Sequence, residues 1–192
     1  MRKALVCISL ALLAACGGKD KKATVADQPL APLSQSKNSA VFNESFGALM
    51  EDYYHLKDNF ITESDTLIRV YAKKLMKDAD SLPINELRAD SNVVATVKGS
   101  TGSVSAELKG LLGEKTLDAK RKSFQMVSSE LYDLVRQVHY DAAVVYQQFC
   151  PMAFNNQGAN WLSKTADIKN PYLPKKMLIC GEVKDSIDFR GK

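Results

Sequence analysis

The stretch that decides the fold runs over residues 116–150, TLDAKRKSFQMVSSELYDLVRQVHYDAAVVYQQFC. Its apolar positions Phe124, Val127, Leu131, Leu134, Val138, Ala142, Val145 and Phe149 step by three and four residues. That spacing lines side chains up on one face of an α-helix. Thr116 stands before the stripe as an N-cap, and Asp118 falls in the first turn, where the helix dipole favours an anion. Pro151 ends it, because the residue before a proline is pushed out of the helical region. The stretch therefore predicts a single helix of roughly 45–50 Å at 1.5 Å per residue. A seam of that length suits an antiparallel bundle.

Upstream, the same periodicity recurs. Phe42, Phe46, Leu49, Tyr53, Leu56 and Phe60 form one stripe with Asn43 as its N-cap. A second helix after Ser64 carries Leu67, Ile68, Tyr71 and Leu75 inward, and Pro83 starts a short turn. Val97, Thr101, Val104, Leu108 and Leu111 form the next stripe, although Gly99 and Gly102 each weaken that helix by about 1 kcal/mol relative to Ala. No strand-like alternation competes. The expected fold is all-α, an antiparallel helical bundle over residues 42–188, one domain by length and without internal repeats. Downstream of Pro151 the composition changes: Asn155, Asn156, Gly158, Asn170, Pro171, Pro174 and Gly181 are turn formers. They predict a loop-rich C-terminal cap over residues 150–181, with Trp161 as its hydrophobic anchor.

The N-terminus supplies the address. Arg2 and Lys3 precede an apolar run from Ala4 to Ala15, too short to span a bilayer but matched to a signal segment. It ends in Leu13-Ala14-Ala15-Cys16, which resembles the lipobox of bacterial lipoproteins. The expectation is a signal peptide over 1–15, cleavage before a lipidated Cys16, and a flexible tether over 16–41 broken by Pro29 and Pro32. The protein is then exported and lipid-anchored in the cell envelope, on the inner or outer membrane. Loss of the signal lowers the net charge from +4 to +2, so no strong basic field remains and nucleic acid is not an expected partner.

The same processing reduces the four cysteines to two thiols, Cys150 and Cys180. Each lies beside a methionine, in Cys150-Pro151-Met152 and in Met177-Leu178-Ile179-Cys180. Thiolates and thioethers are soft donors that select Cu(I) or a similar ion. Cys150, Met152, Met177 and Cys180 are therefore the candidate metal ligands. Export leaves a second reading open, a Cys150–Cys180 disulfide with both methionines as apolar filler; closing that loop would stabilise the fold by roughly 3–4 kcal/mol. His139 lies 11 residues before Cys150 on the expected helix, about 16 Å away along the axis at 1.5 Å per residue. It joins the ligands only if the cap folds back. His55 reads as a helix-surface residue.

No catalytic constellation appears. Two histidines on separate helices leave few partners for a nucleophile. Gly99-Ser-Thr-Gly102 lacks the strand and lysine of a phosphate loop. Glu44, Glu51 and Asp52 read as a solvated helix face. An enzyme is not expected.

The run Cys150-Pro-Met-Ala, Gly158-Ala-Asn-Trp161-Leu-Ser163, Ile168-Lys-Asn170-Pro171-Tyr172 and Met177-Leu-Ile-Cys180-Gly181 resembles a domain family of unknown function common in Bacteroidota. Upstream, Leu56-Lys-Asp58 with Ser64-Asp65, and Arg121-Lys-Ser-Phe124 with Ser128, are similar to its helical part. The family usually carries an aromatic residue and a glycine after Asn-Pro-Tyr, where this chain has Leu173-Pro174. The resemblance implies an exported helical domain, in some proteins fused to the periplasmic adaptor of CusB/HlyD-type heavy-metal efflux pumps. Its Cys-Pro-Met core also resembles short heavy-metal-binding modules. With the resemblance included, the chain is expected to be a periplasmic soft-metal (copper-type) binding protein that buffers or delivers metal near an efflux system. The alternative is a disulfide-stapled helical scaffold that docks an envelope partner without metal.

Overall fold

The computed structural model describes residues 38–191. The expected signal peptide, Cys16 and most of the tether lie outside the described residues. Four long helices follow one another: α1 (Ala40–Thr62), α2 (Asp65–Asp80), α3 (Ser91–Gly113) and α4 (Leu117–Gln137). A 3-10 turn at Ile84–Glu86 succeeds Pro83 as the sequence suggests. Consecutive helices pack side by side, α1 on α2, α2 on α3 and α3 on α4. The ring closes where Tyr53 and Phe60 of α1 meet Phe124 of α4, at ring-centre distances of 5.4 and 4.7 Å.

Local chemistry explains each helix start. The Ser39 side chain accepts the Phe42 N–H, so α1 opens at Ala40 and the last two residues of the expected tether are helical. Asn43, the cap expected from the sequence, instead donates from its amide to Asp141 across the fold. Asp90 caps α3, and Thr116 caps α4 by accepting the Ala119 N–H. The stripes read from the sequence are buried on α1, α3 and α4. On α2 the inward stripe is Ile68, Ala72, Leu75 and Ala79, which leaves Leu67, one position off that face, exposed.

The all-α expectation needs correction after residue 137. The helix predicted to reach Phe149 ends at Gln137. Tyr140 N–H bonds back to the Val135 carbonyl and His139 N–H to that of Arg136, with His139 at φ 50°. That pattern of a left-handed residue with paired back-bonds is the Schellman termination of a helix, here without the usual glycine. The chain then extends into β1 (Val145–Cys150), the central strand of a three-stranded antiparallel sheet. β2 (Ala159–Ser163) flanks it on one side and β3 (Glu182–Ile187) on the other. Val144, Val145, Tyr146 and Phe149 are strand formers. Their alternation is hidden by a bulge between Gln147 and Gln148, which puts Val145, Gln148 and Cys150 on the buried side. A bulge inserts one residue and so mimics the helical count.

The cap is therefore a small sheet with short turns rather than loops alone. The one-turn segment α5 (Ala153–Asn156) contains left-handed backbone at Phe154 and Asn155, and Asn156 comes next at φ 67°. α6 (Pro174–Met177) leads into Cys180. β2 packs on α4 and α1, and its Trp161 is fully buried, as expected for an anchor. One cluster of buried apolar side chains runs without interruption from Phe42 in α1 to Ile187 in β3. The described residues all fall in a single compact unit.

Candidate functional site

Cys150 closes β1 and is fully buried; Cys180 precedes β3 and is half-buried. Because Phe149 pairs with Glu182, the sheet register brings the two cysteines together, with their Sγ atoms 2.9 Å apart and both thiols free. That distance exceeds the roughly 2.05 Å of a disulfide. The Cys180 thiol is pushed above its ordinary value, first by its hydrogen bond with Cys150 and then by burial, while the Met152 N–H pulls the other way.

Cys180 is held at its backbone. Its N–H bonds the Met177 carbonyl at 3.0 Å, and its carbonyl accepts from Asn170 Nδ2 at 3.1 Å. Asn170 is fully buried and does more than this. Its Oδ1 accepts the N–H groups of Tyr172 and Leu173, and its own N–H reaches the Leu178 carbonyl at 2.8 Å. One residue thus clamps three pieces of the segment that carries Cys180. Gly181, next in line, sits at φ 148° with no room for a side chain: a Cβ there would meet the Phe149 carbonyl and the Trp161 ring, each at 2.9 Å. The indole consequently lies against the backbone just beyond Cys180.

Side chains from the bundle fix the cap in place. Arg121, near the start of α4, donates to the Pro171 carbonyl of the cap, to Phe60 O in the last turn of α1 and to Glu63, which caps that helix. Leu162 N–H donates to Tyr53 Oη, and Ser128 donates its proton to Phe124 O. The 2.8 Å Tyr53–Ser128 contact must then be donated by the phenol. A buried relay of three bonds therefore joins β2 to α1 and α4. Burial raises the Tyr53 pKa, so the phenol stays protonated in this role.

The remaining sequence candidates fare unequally. The main chains of Met152 and Met177 touch Cys180, through the two bonds above, while their side chains are largely exposed. His139 precedes β1, and its ring stacks on Phe189 at 4.7 Å. Among the described residues no group of three or more His, Cys, Asp or Glu side chains gathers at one point, so His139 does not join the cysteines. The 11-residue helical spacing that put it on their face does not exist, because α4 has already ended. His55 stacks on Tyr71 at 4.8 Å. Two organisers, Asn170 and Tyr53, carry no signal of that role in the sequence. Asn170 before Pro171 reads only as a turn former, and a tyrosine in an apolar stripe looks like any core residue.

A cleft of about 550 Å³ is lined by Met152, Phe154 and Tyr172 together with Lys122, Lys175 and Lys176 and the acidic Glu63 and Asp118; neither cysteine lines it. No helix among the described residues is long and apolar enough to cross a membrane.

Residues 49–142 match the model of a family described as protein of unknown function (DUF3347). The match covers just under half of the chain and stops before β1, so the cysteine pair lies beyond it. No curated protein and no solved structure matches the chain.

Proposed function

We propose that the cap binds a soft metal ion of the Cu(I) class through Cys150 and Cys180, with Met152 and Met177 as thioether donors. The protein would work as an exported, lipid-anchored module that buffers or delivers metal beside a heavy-metal efflux adaptor, and not as an enzyme. The observation that carries the reading is the 2.9 Å approach of two free thiols that are 30 residues apart in sequence. The donor chemistry selects the ion. A structural zinc site needs four ligands, commonly Cys and His; among the described residues no third such side chain joins the two cysteines. Two thiolates with neutral thioethers suit a low-coordinate soft cation. Two sulfurs sharing one ion at about 2.3 Å each stand roughly 3.7–4.6 Å apart, so binding would widen the pair by about 1 Å or more. With the Cys180 backbone clamped by Asn170, that widening would fall to the side chain of the half-buried Cys180 rather than to the fully buried Cys150.

The same distance favours a second reading. Closing by under about 1 Å would make the disulfide, with loss of two protons and transfer of two electrons to an acceptor disulfide. The cap would then be a stapled platform for an envelope partner. Titration of the reduced protein with Cu(I) against a competing chelator separates the two. Binding that is lost in Cys150→Ser and Cys180→Ser is expected; negligible affinity, or affinity that survives both substitutions, sinks the metal reading. Alkylation without reductant and then intact mass adds the complement, since two blocked thiols would exclude the staple.

A further inference from the structure

Residues 175–179, Lys-Lys-Met-Leu-Ile, are five consecutive exposed positions at the tip of the cap. Met177 is 37% exposed, Leu178 40% and Ile179 82%, the highest value among the exposed large apolar side chains. Three adjacent apolar residues in water are costly unless something covers them. We propose that this tip docks on a membrane surface bearing anionic headgroups, with Leu178 and Ile179 entering the interface and the lysines remaining at headgroup level.

Charge beside exposed apolar surface argues for a bilayer. Lys175 and Lys176 directly precede the apolar run, and Lys169 is next to Asn170, which bonds to Leu178 and Cys180. Lys169 and Lys176 form no ion pair among the described residues, whereas Lys175 reaches Glu63. Flexible lysine stems let their ammonium groups stay in the headgroup layer while apolar neighbours go deeper. Ile179 is four-fifths exposed and stands three residues after Lys176, a cation without an acidic partner among the described residues. A lipid interface takes up such an apolar run while the neighbouring ammonium groups meet its anionic headgroups. The inference does not rest on metal binding, because it uses neither cysteine.

The core closes within residues 42–187, so the fragment 32–192 tests the tip without the apolar N-terminus. Co-sedimentation under reducing conditions would use vesicles of phosphatidylglycerol and phosphatidylcholine in equal parts, and phosphatidylcholine alone. The fragment is expected to bind the anionic vesicles and to be released by salt. Ile179→Asp should weaken binding about tenfold or more, and Lys176→Ala about fivefold. Both sites are exposed, so unchanged circular dichroism is expected for both variants. No binding to anionic vesicles, or binding that Ile179→Asp leaves intact, overturns the proposal. Self-association of the fragment that Ile179→Asp abolishes, without vesicle binding, would give the tip to a second copy and overturn it equally.

Discussion

The bundle and the cap are built by different means. In α1–α4 the backbone satisfies itself through helical hydrogen bonds, and the side chains need only be apolar on one face. In the cap the backbone is irregular, and individual side chains satisfy it. Asn170 serves the segments around Tyr172, Leu178 and Cys180, and Gln148 Nε2 holds the carbonyls of Thr165 and Asp167. Arg121 and Tyr53 reach across from the bundle. Glycines divide the same way. A Cβ on Gly99 or Gly102 of α3 would meet nothing within 4 Å, whereas one on Gly181 or Gly158 would collide. A bundle tolerates many sequences of the right pattern; the cap depends on particular residues at particular places.

Substitutions can break or sharpen that contrast. Trp161→Ala empties the centre of the cap and should cost about 3–5 kcal/mol in chemical denaturation. If cap and helices unfold as one, a thermal scan monitored by helical signal and by cap-specific hydrogen exchange gives one transition. Two separated transitions would show that the relay does not couple the regions. Tyr53→Phe removes the acceptor of the buried Leu162 N–H and should cost about 1–3 kcal/mol. A negligible change would mean that the joint lies elsewhere.

The glycine contrast gives opposite signs in one assay. Gly181→Ala should destabilise by about 1–3 kcal/mol, since an alanine at that φ is strained and crowded. Gly99→Ala should stabilise by about 0.5–1 kcal/mol, as for an open helical site. Equal signs would refute the contrast. The smallest effect concerns Glu63, whose carboxyl is held below its usual value by its bonds to Lys175 and Arg121. A depressed folded pKa contributes stability above the unfolded value, near pH 4.3, and that stability fades as pH falls through the folded value. Glu63→Gln should therefore flatten the acid limb of the stability curve, as read by urea midpoints from pH 6 downward.

Legibility in the sequence divides along the same line. Phe42 to Phe60 and Val97 to Leu111 can be read because helix periodicity is a local property. The stretch 138–149 cannot, for two physical reasons. His139 ends α4 in a left-handed conformation normally announced by glycine, and the bulge at Gln147/Gln148 gives a strand the spacing of a helix. The cysteine pair is legible as a pair, because both residues stand beside methionine in a chain with few other soft donors. Its organiser is not. That Asn170 holds Cys180 depends on a fold-back that no periodicity encodes.

The central place of β1 bears on the order in which the sheet can form. β1 is central, yet β3, one of its two partners, begins only after the whole of β2, α5 and α6. A chain that emerges N-terminus first has all four helices and Cys150 in hand before Cys180 and β3 arrive. Until then β1 presents an open edge and a lone thiol, the condition most prone to pairing with the wrong chain. The meeting of Cys150 with Cys180 is thus also a sign that the third strand is in place and the sheet is whole.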